Sequence, residues 1–117
     1  MTKVKVSEAE GEALNWMVAK ANGDEREFEL AQKYPDDEDD YSPSTDWERG
    51  GPIIERERLQ LSPNAHGTDW GCNRWAVDKS GADRPNQKRG PTPLIAAMRC
   101  YVASKLGDEV DVPEELT

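Results

Sequence analysis

Apolar positions recur at helical spacing near both ends of the chain. Leu14, Met17, Val18 and Ala21 share one face of the segment that follows Ser7, and Ser7 with Glu10 three positions on has the form of a capping box. The spacing predicts a helix over residues 8–22, ended by Gly23 in the left-handed conformation that glycine adopts without strain. Gly11 in its first turns costs up to about 1 kcal/mol relative to alanine, so this helix needs tertiary support. Near the other end, Leu94, Ile95, Met98, Tyr101, Val102 and Leu106 form a broad apolar stripe. Thr92 is an N-cap residue, Pro93 suits the first helical position, Lys105 complements the last turn and Gly107 closes it.

Between these helices the pattern is less regular. In YSPSTDWERGGP, residues 41–52, Thr45 and Glu48 form a capping box around Trp47, and Gly50-Gly51-Pro52 ends or kinks the turn before a helix restarts at the proline. On this reading Trp47 is a packing anchor, and the paired glycines let backbone approach closely. IIERERLQL read as a strand leaves neither face apolar, so the helix continues to Arg58 and a short strand runs from Leu59 to Ser62, stopped by Pro63. Gly71 to Asp78, carrying Trp75 and Val77, is the second strand of a hairpin. Ser80 to Gly90, locally basic through Arg84, Lys88 and Arg89, reads as a mobile connection. The expected architecture is a small α+β single domain over residues 1–117, with an N-terminal helix, an interrupted central helix, a short two-stranded antiparallel sheet and a long C-terminal helix.

Charge changes this picture in two segments. Residues 24–40 hold nine acids against Arg26 and Lys33, and the run Asp36, Asp37, Glu38, Asp39, Asp40 has nothing to bury, so self-repulsion predicts an open, mobile acidic loop. Residues 108–117 hold five acids and no base, and read as an acidic tail loosely held by Val110, Val112 and Leu116. With 15 Lys and Arg against 24 Asp and Glu, the formal charge of −9 repels phosphate backbones and anionic lipid, which disfavours direct nucleic-acid or membrane binding. The polar N-terminus and the absence of a long apolar run point to the cytosol, where Cys72 and Cys100 stay thiols and serve as packing residues.

Catalytic and metal signatures are weak. His66, Asp69 and Cys72 are chemically suited to zinc, but their spacing matches no common site. The run at residues 36–40 lacks the central glycine of an EF-hand loop. The single histidine has no partner serine motif, and Pro52 after Gly50-Gly51 lacks the backbone N–H that a phosphate cradle uses. No cofactor, metal or catalytic residue is expected. Two functions remain: a non-enzymatic binding protein whose acids Asp36, Asp37, Glu38, Asp39 and Asp40 face a partner, with nucleic-acid mimicry as one version, or a small-ligand or enzymatic domain with a pocket of Tyr41, Trp47, Trp70 and Trp75. A chain with one phenylalanine has to draw on such rings for its core, which favours the first.

The stretches KVKVSEAEGEALNWMVAKANG, YSPSTDWERGGPIIERE and GPTPLIAAMRCYVASKLGDEVDVPEEL together resemble the NinX-like family of small proteins encoded by lambdoid phages and prophages. The order of elements is also similar to phage alpha-beta-alpha sandwich domains. The family resemblance implies a phage accessory protein acting in the cytoplasm of an infected bacterium on a host or defence protein. It carries over no catalytic or cofactor-binding residue.

Overall fold

The first and fifth strands pair across almost the whole sequence. In the computed structural model, which describes residues 1–33, 41–64, 67–77 and 83–116, β1 (Thr2–Lys5) pairs antiparallel with β5 (Glu109–Val112). Period-two alternation buries Val110 and Val112 and leaves Glu109 and Asp111 exposed, opposite Lys5 and Lys3. The acidic end is therefore not a loose tail over these residues: its outward acids stand in register opposite lysines while its valines join the core.

After a single 3-10 turn at Val6–Glu8, α1 spans Gly11–Asn22. It starts later than the spacing suggests. Its N-cap is Glu10, which makes no side-chain capping bond, because the Ser7 segment is drawn into the 3-10 turn that buries Val6. Gly23 ends α1 in the left-handed region at φ 77° as expected. A second helix, α2 (Glu25–Lys33), occupies much of the segment read as an open acidic loop. Its acids Glu25 and Glu29 are solvent-exposed, whereas Phe28 is buried edge-on against Tyr41, with ring centroids 6.2 Å apart. One well-placed aromatic thus anchors an otherwise charged helix. Asp36 to Asp40 lie outside the described residues.

The central helix, α3 (Trp47–Glu57), is continuous through Gly50-Gly51-Pro52. Asp46, not Thr45, caps it by accepting from the Glu48 amide at 3.0 Å. Pro52 removes only the bond to the Glu48 carbonyl, near the start of the helix and on its outward arc, where solvent can hydrate the freed oxygen. A Cβ on Gly50 would stand 2.5 Å from Leu94 Cδ2 and 2.6 Å from the Pro43 carbonyl oxygen, so this glycine permits the close approach expected of it. Gly51 has nothing within 4 Å of that position.

A three-stranded antiparallel sheet follows in the order β2 (Gln60–Pro63), β3 (Trp70–Val77) and β4 (Asp83–Gly90). The β2–β3 hairpin matches the expected pair. The third strand replaces most of the predicted mobile connection. Its sequence, DRPNQKRG, suits an edge strand, where Pro85 and charged residues discourage further pairing.

Helix α4 (Pro93–Leu106) begins and ends as its sequence predicts, with Thr92 Oγ1 accepting from the Ile95 amide at 3.1 Å and Gly107 as C-cap. Every residue from Leu94 to Ala103 is buried. The stripe is an all-round burial because α4 packs against β3, β4, α1 and α3. Among the described residues no helix is long and apolar enough to cross a membrane.

Cys72 on β3 and Cys100 on α4 are both buried free thiols that hydrogen-bond to each other. That bond and burial push the Cys72 thiol up, which keeps it protonated and inert in the core. At the edge of this core, Glu57 gathers Arg56 at 3.2 Å, Arg74 at 3.3 Å and Lys105 at 3.6 Å. Burial alone would raise its carboxyl, but the Arg56 hydrogen bond and the charges of Lys105 and Arg74 outweigh it and hold the group below its ordinary 4.5. A depressed folded-state value stabilises above the unfolded value and is lost as pH falls through the folded one. Glu57→Gln should therefore lower stability at pH 7 and flatten the acid limb of a urea-midpoint profile. An unchanged profile would show that the cluster adds nothing.

Candidate partner-binding site

Helical geometry divides α3 into two arcs. Gly50 and Ile53 face the body, with Arg49 and Glu57 beside them, while Trp47, Glu48, Gly51, Pro52 and Glu55 share the opposite arc. Trp47 is 55% exposed and is among the few large apolar side chains left in solvent. This overturns its reading as a packing anchor. The capping residue is Asp46, so Trp47 is the first helical residue, at the outer end of the arc, and the contact with Leu94 of α4 falls to Gly50.

The segment that leads into this helix is held firmly. Tyr41, Ser42, Pro43 and Ser44 are all buried. Asn15 Oδ1 of α1 accepts from the Ser44 amide at 3.1 Å and from its hydroxyl at 2.7 Å. The Ser42 carbonyl accepts from the Thr45 and Asp46 amides. Tyr41 donates to Asp24 at 3.1 Å, and Arg49 lies over its ring. Burial, then the Asp24 charge, raises the Tyr41 hydroxyl well above its ordinary value, so it remains a donor at any physiological pH. Farther along α3, Arg56 donates to Asn22 at 2.7 Å and to the Tyr101 hydroxyl at 3.1 Å, tying the helix to α1 and α4. Trp47 thus stands on a helix fixed at both ends, with Glu48 and Glu55 on its own arc and little backbone freedom left to lose on contact.

The four aromatic residues read from the sequence do not share one environment. Tyr41 belongs to a small cluster with Ala19 and Phe28, Trp70 is half-buried against the main core, and Trp47 is exposed. The Trp75 side chain lies outside the described residues. So do Asp36, Asp37, Glu38, Asp39 and Asp40, although this acidic run joins the body at Tyr41, on the segment leading into α3. His66 is likewise outside them. Of its suggested co-ligands, Cys72 is buried against Cys100 and Asp69 accepts from Asn64 at 2.6 Å. Among the described residues no three potential metal ligands cluster.

A family model described as bacteriophage P22 NinX covers residues 5–105, which takes in α1, α2, α3, both strands of the expected hairpin and all but the last residue of α4. No curated protein matches the chain.

Proposed function

The chain belongs to the bacteriophage P22 NinX family, and from that premise we propose that this phage accessory protein is a non-enzymatic binding modulator, or inhibitor, of a nucleic-acid-handling host or defence protein. The observation that carries the proposal is Trp47, an exposed ring at the start of a rigidly held helix, on the same arc as two glutamates. A tryptophan set in a polar rim is the composition of an interface hot spot. Its acidic surround complements an apolar socket with a basic rim, and a formal charge of −9 steers the chain toward basic surfaces of the kind that handle nucleic acid. In the mimicry version, Asp36 to Asp40 extend this surface with carboxylates presented in place of phosphates. The bacterial cytoplasm is where such a partner would be met.

Affinity capture from bacterial lysate tests the proposal. The wild-type chain should enrich a DNA- or RNA-handling protein over a charge-matched control, and duplex DNA or added salt should release it. Trp47→Ala should weaken that complex by about 30-fold, the equivalent of roughly 2 kcal/mol at a hot spot. Retention of the same partner at full affinity by Trp47→Ala would refute the role of this face. Unchanged affinity after neutralising Asp36, Asp37, Asp39 and Asp40, and at raised salt, would remove mimicry.

A further inference from the structure

In a chain this acidic, a cleft lined by cations needs a reason. An open cleft of about 570 Å³ lies where β4 ends, bordered by Ser7 of the 3-10 turn, Thr68 and Asp69 before β3, Lys88 and Arg89 of β4, and Arg99 of α4. Its volume is that of a small-molecule site.

Arg99 is only 8% exposed, and a buried guanidinium is rarely left without a carboxylate. Here its Nε donates to the Ala9 carbonyl at 2.7 Å and its Nη1 to the Arg89 carbonyl at 2.8 Å. Both acceptors are neutral. They lock the orientation of the fork without cancelling its charge, and donors remain for a further acceptor. Among the described residues neither Arg89 nor Arg99 has an acid within ion-pairing distance. Glu10 supports the Arg99 charge from farther away, against the desolvation that lowers it. Lys88 is already paired with Asp108 at 3.1 Å, so the uncommitted positive charge belongs to the two arginines.

The bond from Arg99 to the Arg89 carbonyl has a second effect. It pins the backbone of β4 at the residue whose own side chain borders the cleft, so strand and helix are tied where both arginines line it. Ser7 and Thr68 add hydroxyl donors, and Asp69 brings one carboxylate to the lining. That carboxylate, with the charge of −9 over the whole chain, works against a polyanion but tolerates a compact dianion bearing hydroxyl groups.

We propose that this cleft is a binding site for a phosphate monoester, with Arg89 and Arg99 holding the phosphate oxygens and Asp69 accepting from hydroxyls at the other end of the ligand. The assignment is independent of the Trp47 surface and stands or falls without it.

Isothermal titration of the full chain at constant ionic strength tests it, with inorganic phosphate, a nucleoside 5′-monophosphate and a sugar monophosphate as probes and the uncharged nucleoside as control. At least one phosphate probe should bind one-to-one below about 1 mM, and the nucleoside should not bind. Arg89→Gln, a change at an exposed side chain, should weaken inorganic phosphate about tenfold, the loss of one charge-assisted contact. Asp69→Asn should instead tighten it several-fold, because the carboxylate repels the anion while the amide can still accept from Asn64. Opposite signs from two variants that both retain the native circular dichroism cannot come from a change in stability. Whichever ester binds more tightly names the source of the phosphate. The absence of saturable binding by every phosphate probe, or binding that Arg89→Gln and Asp69→Asn leave unchanged, would overturn the assignment.

Discussion

Gly90→Ala should be among the most destabilising single changes in the protein. A Cβ at this position would lie 2.7 Å from the Ala96 amide nitrogen, 2.9 Å from Ile95 Cγ2 and 3.1 Å from Ala96 Cα. Two of these neighbours are backbone atoms of a buried helix, which cannot rotate aside as a side-chain end can. Strand β4 must therefore lift off α4, and because Gly90 pairs with Trp70 the disturbance passes into β3. Overpacking of this kind costs about 2–3 kcal/mol, enough to lower Tm by roughly 10 °C in a domain of this size. Gly51→Ala is the matched control. With open space at its Cβ position and a helical backbone, it should be neutral or stabilise by about 0.5–1 kcal/mol. A thermal melt that ranks the two variants the other way would show that the approach of sheet to helix is looser than these distances require.

Asn15→Ala should have a comparable effect by a different route. Asn15 and Ser44 are both buried, and the single oxygen Oδ1 serves the Ser44 amide and the Ser44 hydroxyl. Truncation leaves two buried donors without an acceptor, at a cost of about 2–4 kcal/mol in total. The damage should be local before it is global. Residues 41–46 join the acidic run to α3, and Ser44 ties them to α1. Hydrogen exchange at the Ser44 and Thr45 amides should accelerate under conditions where the amides of α4 stay protected. Equal acceleration throughout would mean that this segment opens only with the whole domain.

The parts of this fold that can be read from sequence are those fixed by neighbours along the chain. Thr92, Pro93 and Gly107 delimit α4, and Gly23 ends α1, because caps are local chemistry. The missed elements depend on distant partners. EVDV becomes a strand only because TKVK lies beside it, with lysines in register opposite its acids. DRPNQKRG looks like a linker because an edge strand is supposed to look unattractive. Helix α2 was hidden by its charge, since its visible anchor, Phe28, finds Tyr41 across a stretch of chain that carries no signal of its own.

The sites follow the same logic. Trp47 was legible as unusual, but its exposure turned on whether Thr45 or Asp46 capped the helix. The cleft draws on residues 7, 68, 69, 88, 89 and 99, far apart in sequence. Its one local signal was the basic character of Lys88 and Arg89 in an otherwise acidic chain.

The pairing of β1 with β5 also sets a schedule. On the ribosome, residues 2–5 emerge before any of the elements they pack with, yet their hydrogen-bonding partner, residues 109–112, is made more than a hundred residues later. The helices and the three-stranded sheet can collapse meanwhile, but Val110 and Val112 are core residues, so one side of that core stays open until β5 has been made. The domain is closed like a clasp, β1 waiting for β5.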